Sequence, residues 1–410
     1  MLVGSKTRIM MECERRNQVR RVSYGHTDHK TFFRNIQGDL LISGYGASNL
    51  TMLADMVCEY ANRGDMPTIL LSVHTDLLDR LRQRQRSGAV TGVMVSDPQT
   101  PNYHPFYGTS AQTMLRLICM AAQDLGYRHM MDQMMQYAAA VINVVQVSYP
   151  VSLPALVNLL SHSDEDISSY GLQMGLPNEI ANAIRSNCAA GTALRQVCEK
   201  LEYIFGDVYT SGTDTKYNFV SGSMGNVPVM AFSVLSADQT LMNTYLKEEL
   251  FYTLRRVPKV RVVLDEVPFA DQDDELLKYL LQMKRQQRIE LVLVSTNALE
   301  ACEQAQTAFQ NVMLFPHDNP MAAEALSEAL WGKYLFHYPV PVSGKPPAVM
   351  FTIKKTIQWQ IATEERLRVR ADDLYAKDSL FVRNSDLLAV KIKSNDSIYL
   401  VPSSVFLPQE

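Results

Sequence analysis

Six short apolar segments constrain the fold most strongly. Residues 39–43, 68–73, 91–95, 228–235, 260–264 and 290–294 are rich in branched side chains, and most are near-continuously apolar rather than alternating. A strand wetted on one face alternates, whereas a strand covered on both faces does not. Helical patterns separate several of these segments, as at 273–287 and at 49–62, where Leu50, Leu53, Ala54, Val57 and Ala61 share one face. Strand alternating with helix predicts an α/β class built on a doubly wound, mainly parallel sheet.

The texture divides the chain into four parts. Residues 1–108 hold the first half of the α/β pattern. Residues 109–205 carry no strand candidate and are dominated by Met, Ala, Leu and Gln, which predicts an all-helical insertion. Ser152-Leu-Pro154 supplies a helix start there, serine as cap and proline in the first turn. Met130, Met131, Met134 and Met135 invite comparison with an adaptable binding face, but helical periodicity explains them as core filler. The α/β pattern resumes over 206–338. Pro339 to Pro347 holds four prolines and a glycine and reads as a connector. Beyond it, candidate strands at 347–353, 357–362, 387–393 and 397–401 make 339–410 a small β-rich segment.

Composition excludes several function classes. At 47% hydrophobic and 20% charged, 410 residues suffice for two or three packed units. A net charge of −4 gives no whole-protein basic field for nucleic acid or anionic membrane. No run approaches the roughly 18 apolar residues of a membrane span. Residues Met1 to Arg21 are polar and arginine-bearing, unlike a secretory signal. The six cysteines are scattered without a C-x-x-C pair, as free thiols in a reducing compartment would be. His26 and His29 are closely spaced but have no Cys or acidic partner grouped in zinc-like fashion.

The chemistry concentrates after the first long strand. Gly44-Tyr-Gly46-Ala-Ser48-Asn49-Leu50-Thr51 sits between that strand and the helix at 49–62. A working phosphate loop reads G-x-x-x-x-G-K-[ST]; its backbone N–H groups cradle phosphate and its lysine reaches the terminal phosphates. Gly44 and Thr51 fit this frame, while Asn49 replaces the second glycine and Leu50 the lysine. A second feature is the strand Val260-Arg-Val-Val-Leu264 ending in Asp265-Glu266. In nucleotide-driven motors the first acid of such a pair orients Mg²⁺ and the second polarises water. The next strand exits in Ser295-Thr296-Asn297, where a polar side chain can reach phosphate or water, or simply end a strand. Arg285 and Arg288 lie at a helix C-terminus, which the helix dipole favours regardless of function.

Taken in order, these motifs resemble the FtsK–HerA class of P-loop motors. Within it they are most similar to the coupling proteins of conjugation and type IV secretion. Pro101-Asn-Tyr-His-Pro-Phe-Tyr-Gly108 is similar to the family's NPF-G segment, Ser152 to Leu160 to its helical module, and Arg285-Gln-Gln-Arg-Ile289 to its arginine region. The resemblance covers roughly 36 to 330. It implies a RecA-like P-loop fold, a ring of subunits (usually six) or an assembly with an active ATPase, and DNA or protein as substrate. It also implies a cytoplasmic location, at the inner membrane face through partners. Carried over, Gly44, Gly46, Ser48, Thr51 and Asn297 line the nucleotide, and Thr51 and Asp265 hold Mg²⁺. Asp265 and Glu266 serve catalysis, Thr296 or Asn297 is the sensor, and Arg285 or Arg288 acts in trans.

The departures shape the functional expectation. Asparagine tolerates left-handed backbone, so Asn49 is an acceptable substitute. Leu50 removes a charge-assisted contact of about 1.5–3 kcal/mol. It also removes a donor to developing charge, whose loss elsewhere costs roughly a hundred- to a thousandfold in rate. Ser72-Val73 stands where the family tends to show Asp-Pro. The expectation is a pseudo-ATPase with weak or absent binding of ATP and Mg²⁺, working in assembly and substrate docking. The alternative is an atypical Mg-dependent NTPase relying on Asp265 and Glu266. Arg80, Arg82, Arg84 and Arg86 form the densest basic run, and the acidic balance of the chain favours a solvated helix surface over a DNA-facing stripe.

Overall fold

A computed structural model describes residues 5–18, 24–44, 49–96, 103–104, 110–149, 151–205, 218–225, 227–234, 239–267, 274–295, 309, 311–315, 317, 319–342, 359–374, 387–392 and 398–402. Among these residues the strands are β1 Tyr24–His26, β2 Leu40–Ser43, β3 Thr68–Ser72, β4 Val93–Ser96, β5 Val229–Ser233, β6 Val260–Asp265, β7 Ile289–Ser295, β8 Asn311–Leu314, β9 Lys333–Pro341, β10 Trp359–Leu367, β11 Leu387–Ile392 and β12 Ile398–Pro402. The chain forms two compact units, one of residues 48–294 and one of 1–47 with 295–410. The protein is α/β, as its apolar runs require.

The unit of 48–294 carries strands in the order β7-β6-β3-β5-β4, every neighbouring pair parallel. Every residue of β3, β5 and β6 is buried, which is why these strands read as unbroken apolar runs. Each fully buried Leu, Ile or Val contributes about 1.5–3 kcal/mol. Helix α3 (Leu50–Arg63) follows the periodicity of its sequence and buries Met52, Leu53, Ala54 and Val57 among others. It ends because Gly64 takes left-handed backbone and donates its N–H to the carbonyl of Tyr60 at 3.2 Å. Helix α4 (Thr75–Arg86) lies beside it, burying Leu77, Leu78 and Leu81.

The stretch after residue 110 is helical, as expected: α5 Ala111–Asp124, α6 Met131–Ser148, α7 Leu153–Leu160, α8 Asp164–Gln173, α9 Asn178–Ser186 and α10 Cys188–Phe205. Ser152 caps α7 as its sequence demands, its hydroxyl accepting from the N–H of Ala155 at 3.3 Å. Met134 is fully buried and Met130, Met131 and Met135 are half-buried, consistent with packing rather than a solvent-facing row. Read from the sequence alone, Ser221 to Asn226 is a turn ahead of a strand; in the structure Phe219–Met224 form a short helix, because Asn218 and Ser221 cap one another reciprocally in a capping box.

In the other unit, β2 pairs parallel with β8, and β8-β11-β12 continue antiparallel until β12 meets β1 in parallel. A separate antiparallel ribbon joins β9 to β10, with helix α1 (Ser5–Gln18) against it. The expected connector at Pro339–Pro347 needs correction: β9 runs through Pro339 and Pro341. Both prolines sit on one side of a strand paired only on its other side, so neither removes a ladder hydrogen bond. The candidate strand at 347–353 lies outside the described residues. Among the described residues no single helix is long and apolar enough to cross a membrane.

Candidate functional site

The loop that opens the site begins at Gly44, which must be glycine for a reason of packing. Its φ is +107°, and a Cβ there would meet the Phe315 carbonyl oxygen at 2.3 Å. The close approach follows from the β2–β8 pairing, where the Phe315 N–H donates to the Ser43 carbonyl at 2.8 Å. Gly46 and Ser48 lie outside the described residues.

At the start of α3 the chain satisfies its own donors. Asn49 is the N-cap, and its Oδ1 accepts from the N–H groups of Thr51 and Met52, both at 3.1 Å. These are among the first N–H groups of the helix, the groups that a bound phosphate would otherwise engage. Leu50 is half-buried and brings no charge. The Thr51 hydroxyl accepts from Arg80 Nη1 at 3.0 Å.

That contact resolves the arginine run of α4 in a way neither sequence reading foresees. Arg80 reaches Thr51, Arg84 pairs with the buried Asp55 of α3, and Arg82 is buried beside Asp79 at 2.7 Å. Three of the four arginines thus bind carboxylates or the head of α3, while Arg80 and Arg86 remain exposed. Positions 80 and 84 on α4 meet 51 and 55 on α3, one turn apart on each helix, as side-by-side helices require.

Asp265 closes β6 and is fully buried. Its Oδ2 accepts from the Ser72 hydroxyl at 2.6 Å, across the register that sets Ser72 beside Asp265 on β3 and β6. Burial raises its pKa, opposed by the Ser72 hydrogen bond and the charge of His74. Among the described residues Oδ1 of Asp265 and Nε2 of His74 are buried without a hydrogen-bond partner. Ser72 also accepts from the His74 N–H at 2.9 Å, which fixes the turn into α4. Glu266 follows at φ 51°, a left-handed conformation that carries strain for a glutamate, and its N–H donates to the Val294 carbonyl.

Asp265, Glu266, Asn49 and Thr51 belong to one unit, but among the described residues no hydrogen bond joins Thr51 to Asp265. Arg285 is exposed in the last turn of the helix Asp274–Arg285, and Arg288 donates to the carbonyl of Arg255 at 3.4 Å. Both positions suit helix C-terminal carbonyls. Thr296 and Asn297 lie outside the described residues. In the Tyr103-His-Pro-Phe segment, Tyr103 is a core residue, its hydroxyl 2.7 Å from that of Tyr245 and its ring against Phe232.

Among the described residues the lysine position is apolar, two of the helix donors are taken by Asn49, and Asp265 is buried, tied to Ser72 and biased toward its neutral form. Among the described residues no group of three or more His, Cys, Asp or Glu could hold a metal ion.

No protein-family model and no curated protein sequence matches the chain. Solved structures do. The chain is similar to the bacterial conjugative coupling protein TrwBΔN70 in complex with sulphate, at 12% identity and a TM-score of 0.49, covering 94% of each chain. It is similar also to the plasmid coupling protein TrwB with the GTP analogue GDPNP (14%, 0.47, 93% of this chain and 89% of that one) and with the ATP analogue ADPNP (12%, 0.46, 94% and 93%).

Proposed function

We propose that this protein is a non-hydrolysing subunit of a translocation machine of the conjugation or type IV secretion kind. It serves assembly and the docking of DNA or protein cargo. The order of motifs along the chain supports the machine class. The Asn49 cap carries the loss of hydrolysis, because a side chain of the protein already holds the N–H groups that phosphate would need. Such a subunit works in a ring of its own copies or beside an active ATPase, at the cytoplasmic face of the membrane through its partners.

A second reading rests on Arg80. Its guanidinium brings a cation to the head of α3, where Leu50 removed one. In that reading the protein is an atypical Mg-dependent NTPase, with Asp265 and Glu266 in the roles the family gives them.

Thermal unfolding with and without Mg-ATP, beside Asp265→Asn and Arg80→Ala, separates the two. A ligand at a hundred times its dissociation constant adds about 2.7 kcal/mol. The first reading expects no shift and no phosphate release in any of the three proteins. A shift abolished by either substitution, with turnover lost in Glu266→Gln, overturns it in favour of the second.

A further inference from the structure

The β9–β10 ribbon has two edges, and the chain treats them differently. Antiparallel pairing makes alternate residues turn their backbone groups inward to the partner strand and outward to the edge. The Arg368 N–H donates to the Gly332 carbonyl at 3.1 Å, which sets the even-numbered residues as the inward ones. Odd-numbered residues therefore form both edges.

On the β9 edge every such position from His337 onward is blocked. The Asn17 carboxamide of α1 donates to the His337 carbonyl and accepts its N–H, both at 2.9 Å, as a neighbouring peptide would. Pro339 and Pro341 have no N–H to offer. Blunting of this kind protects edges from unwanted pairing.

The β10 edge has no such protection. Among the described residues, the outward backbone groups of Trp359, Ile361, Thr363, Glu365 and Leu367 make no hydrogen bond, and Thr363 and Glu365 are exposed. Among the described residues, this leaves nine residues of proline-free strand paired on one side and open on the other. We propose that this edge pairs with β10 of a second copy of the chain, antiparallel and two-fold, centred on Thr363.

The sequence of β10 is self-complementary in that register. Thr363 faces Thr363 of the second copy, Trp359 faces Leu367, and Gln360 faces Arg366. Ile361 meets Glu365 and Ala362 meets Glu364, so all nine residues pair and no like charges oppose. Thr–Thr and apolar cross-strand pairs are stabilising, whereas like charges directly opposite are not. A two-fold centre one residue later would set Glu364 against Glu364, and one two residues later Glu365 against Glu365. Centres one or two residues earlier oppose no like charges but pair only seven or five residues of the strand, so the centre on Thr363 is the one that pairs all nine without like-charge opposition. It also yields a closed dimer, because an isologous contact consumes the edge on both partners. The result is a four-stranded sheet whose outer edges are the blunted β9 strands.

The pairing does not depend on what the nucleotide loop does, so its test is separate. Sedimentation of the full chain over a concentration series measures the self-association, and amide exchange at low and high concentration locates it. Two-fold assembly is expected, with the Thr363 amide slowing as concentration rises. Thr363→Pro removes an outward N–H and leaves every β9–β10 hydrogen bond in place. Thr363→Lys sets two ammonium groups face to face. Each should weaken association by about tenfold or more. A chain that stays monomeric overturns the proposal. So does association that is unchanged in both variants, or a Thr363 amide that exchanges equally fast at both concentrations. Amide exchange on the unmodified protein decides the matter even if a variant folds poorly.

Discussion

Replacing Asn49 by alanine tests the self-capped loop directly. The carboxamide oxygen serves two N–H groups at the head of α3, and alanine leaves both to water in a half-buried setting. Cap removal of this kind costs about 0.5–2 kcal/mol, typically about 1. In a domain of roughly 150–250 residues that amounts to a fall of about 2–4 °C in Tm. Asn49→Gly is the informative partner, because glycine at a cap costs only a few tenths of a kcal/mol. It restores the glycine of a phosphate loop and frees the same two donors. Thermal unfolding of the three proteins should be followed with and without pyrophosphate. The unmodified chain should show no ligand-dependent rise, and Asn49→Gly should show one, since bare N–H groups at a helix start attract anions. Equal stabilisation of the unmodified chain and Asn49→Gly would refute the reasoning, because the Asn49 side chain would then be no obstacle. So would an Asn49→Ala variant whose Tm is unchanged.

Other consequences follow from buried charge. Arg261, on β6, is buried against Asp65 at 3.2 Å and Glu290 at 2.7 Å, with its guanidinium over the Tyr60 ring. Arg261→Ala should cost about 1–3 kcal/mol in denaturant unfolding, since it removes the closest cation of Glu290 and leaves it Lys259 at 3.5 Å. Ser72→Ala should cost about 1–3 kcal/mol by leaving a buried Asp265 oxygen without its donor, and a loss no larger than that of a surface substitution would contradict the assigned bond. Glu249 is fully buried, accepts from the Phe219 N–H at 2.9 Å, and has its pKa pushed by burial up to about 8. The folded state therefore keeps a proton that the unfolded chain loses near 4.5. Stability should fall by up to about 1.4 kcal/mol per pH unit between those values and level off above them. Glu249→Gln should flatten that slope in a pH series of unfolding curves, and an unaltered slope would place the titration elsewhere.

Much of the α/β frame was legible because its strands are buried on both faces. Segments 39–43, 68–73 and 260–264 show as apolar runs whatever surrounds them. The helix after Asn49 was equally plain, since its apolar face repeats at helical spacing. What escaped was the part set by tertiary contact. Strand Asn311–Leu314 was not among the segments read from the sequence, although every one of its residues is buried. β9 carries two prolines and no buried residue, so its last three residues read as part of a connector. Arg261 sat unnoticed inside an apolar run because its partners Asp65 and Glu290 are distant in sequence. At the loop, the motif frame showed which residues were missing but not what fills their place.

The replacements share one physical theme. Several of the groups that a nucleotide would need are engaged by another part of the same unit. Thr51 and Met52 donate to Asn49, the Thr51 hydroxyl accepts from Arg80, and Asp265 accepts from Ser72. A site awaiting ligand leaves donors and charges uncompensated, and carries that cost until the ligand arrives. Here the compensation is mostly internal, with Oδ1 of Asp265 the exception among these atoms. Restoring only Leu50 to lysine would therefore add a cation to a loop whose amides are still occupied. Leu50 and Asn49 act together, one bringing no cation to the loop and the other occupying amides that an anion would otherwise engage.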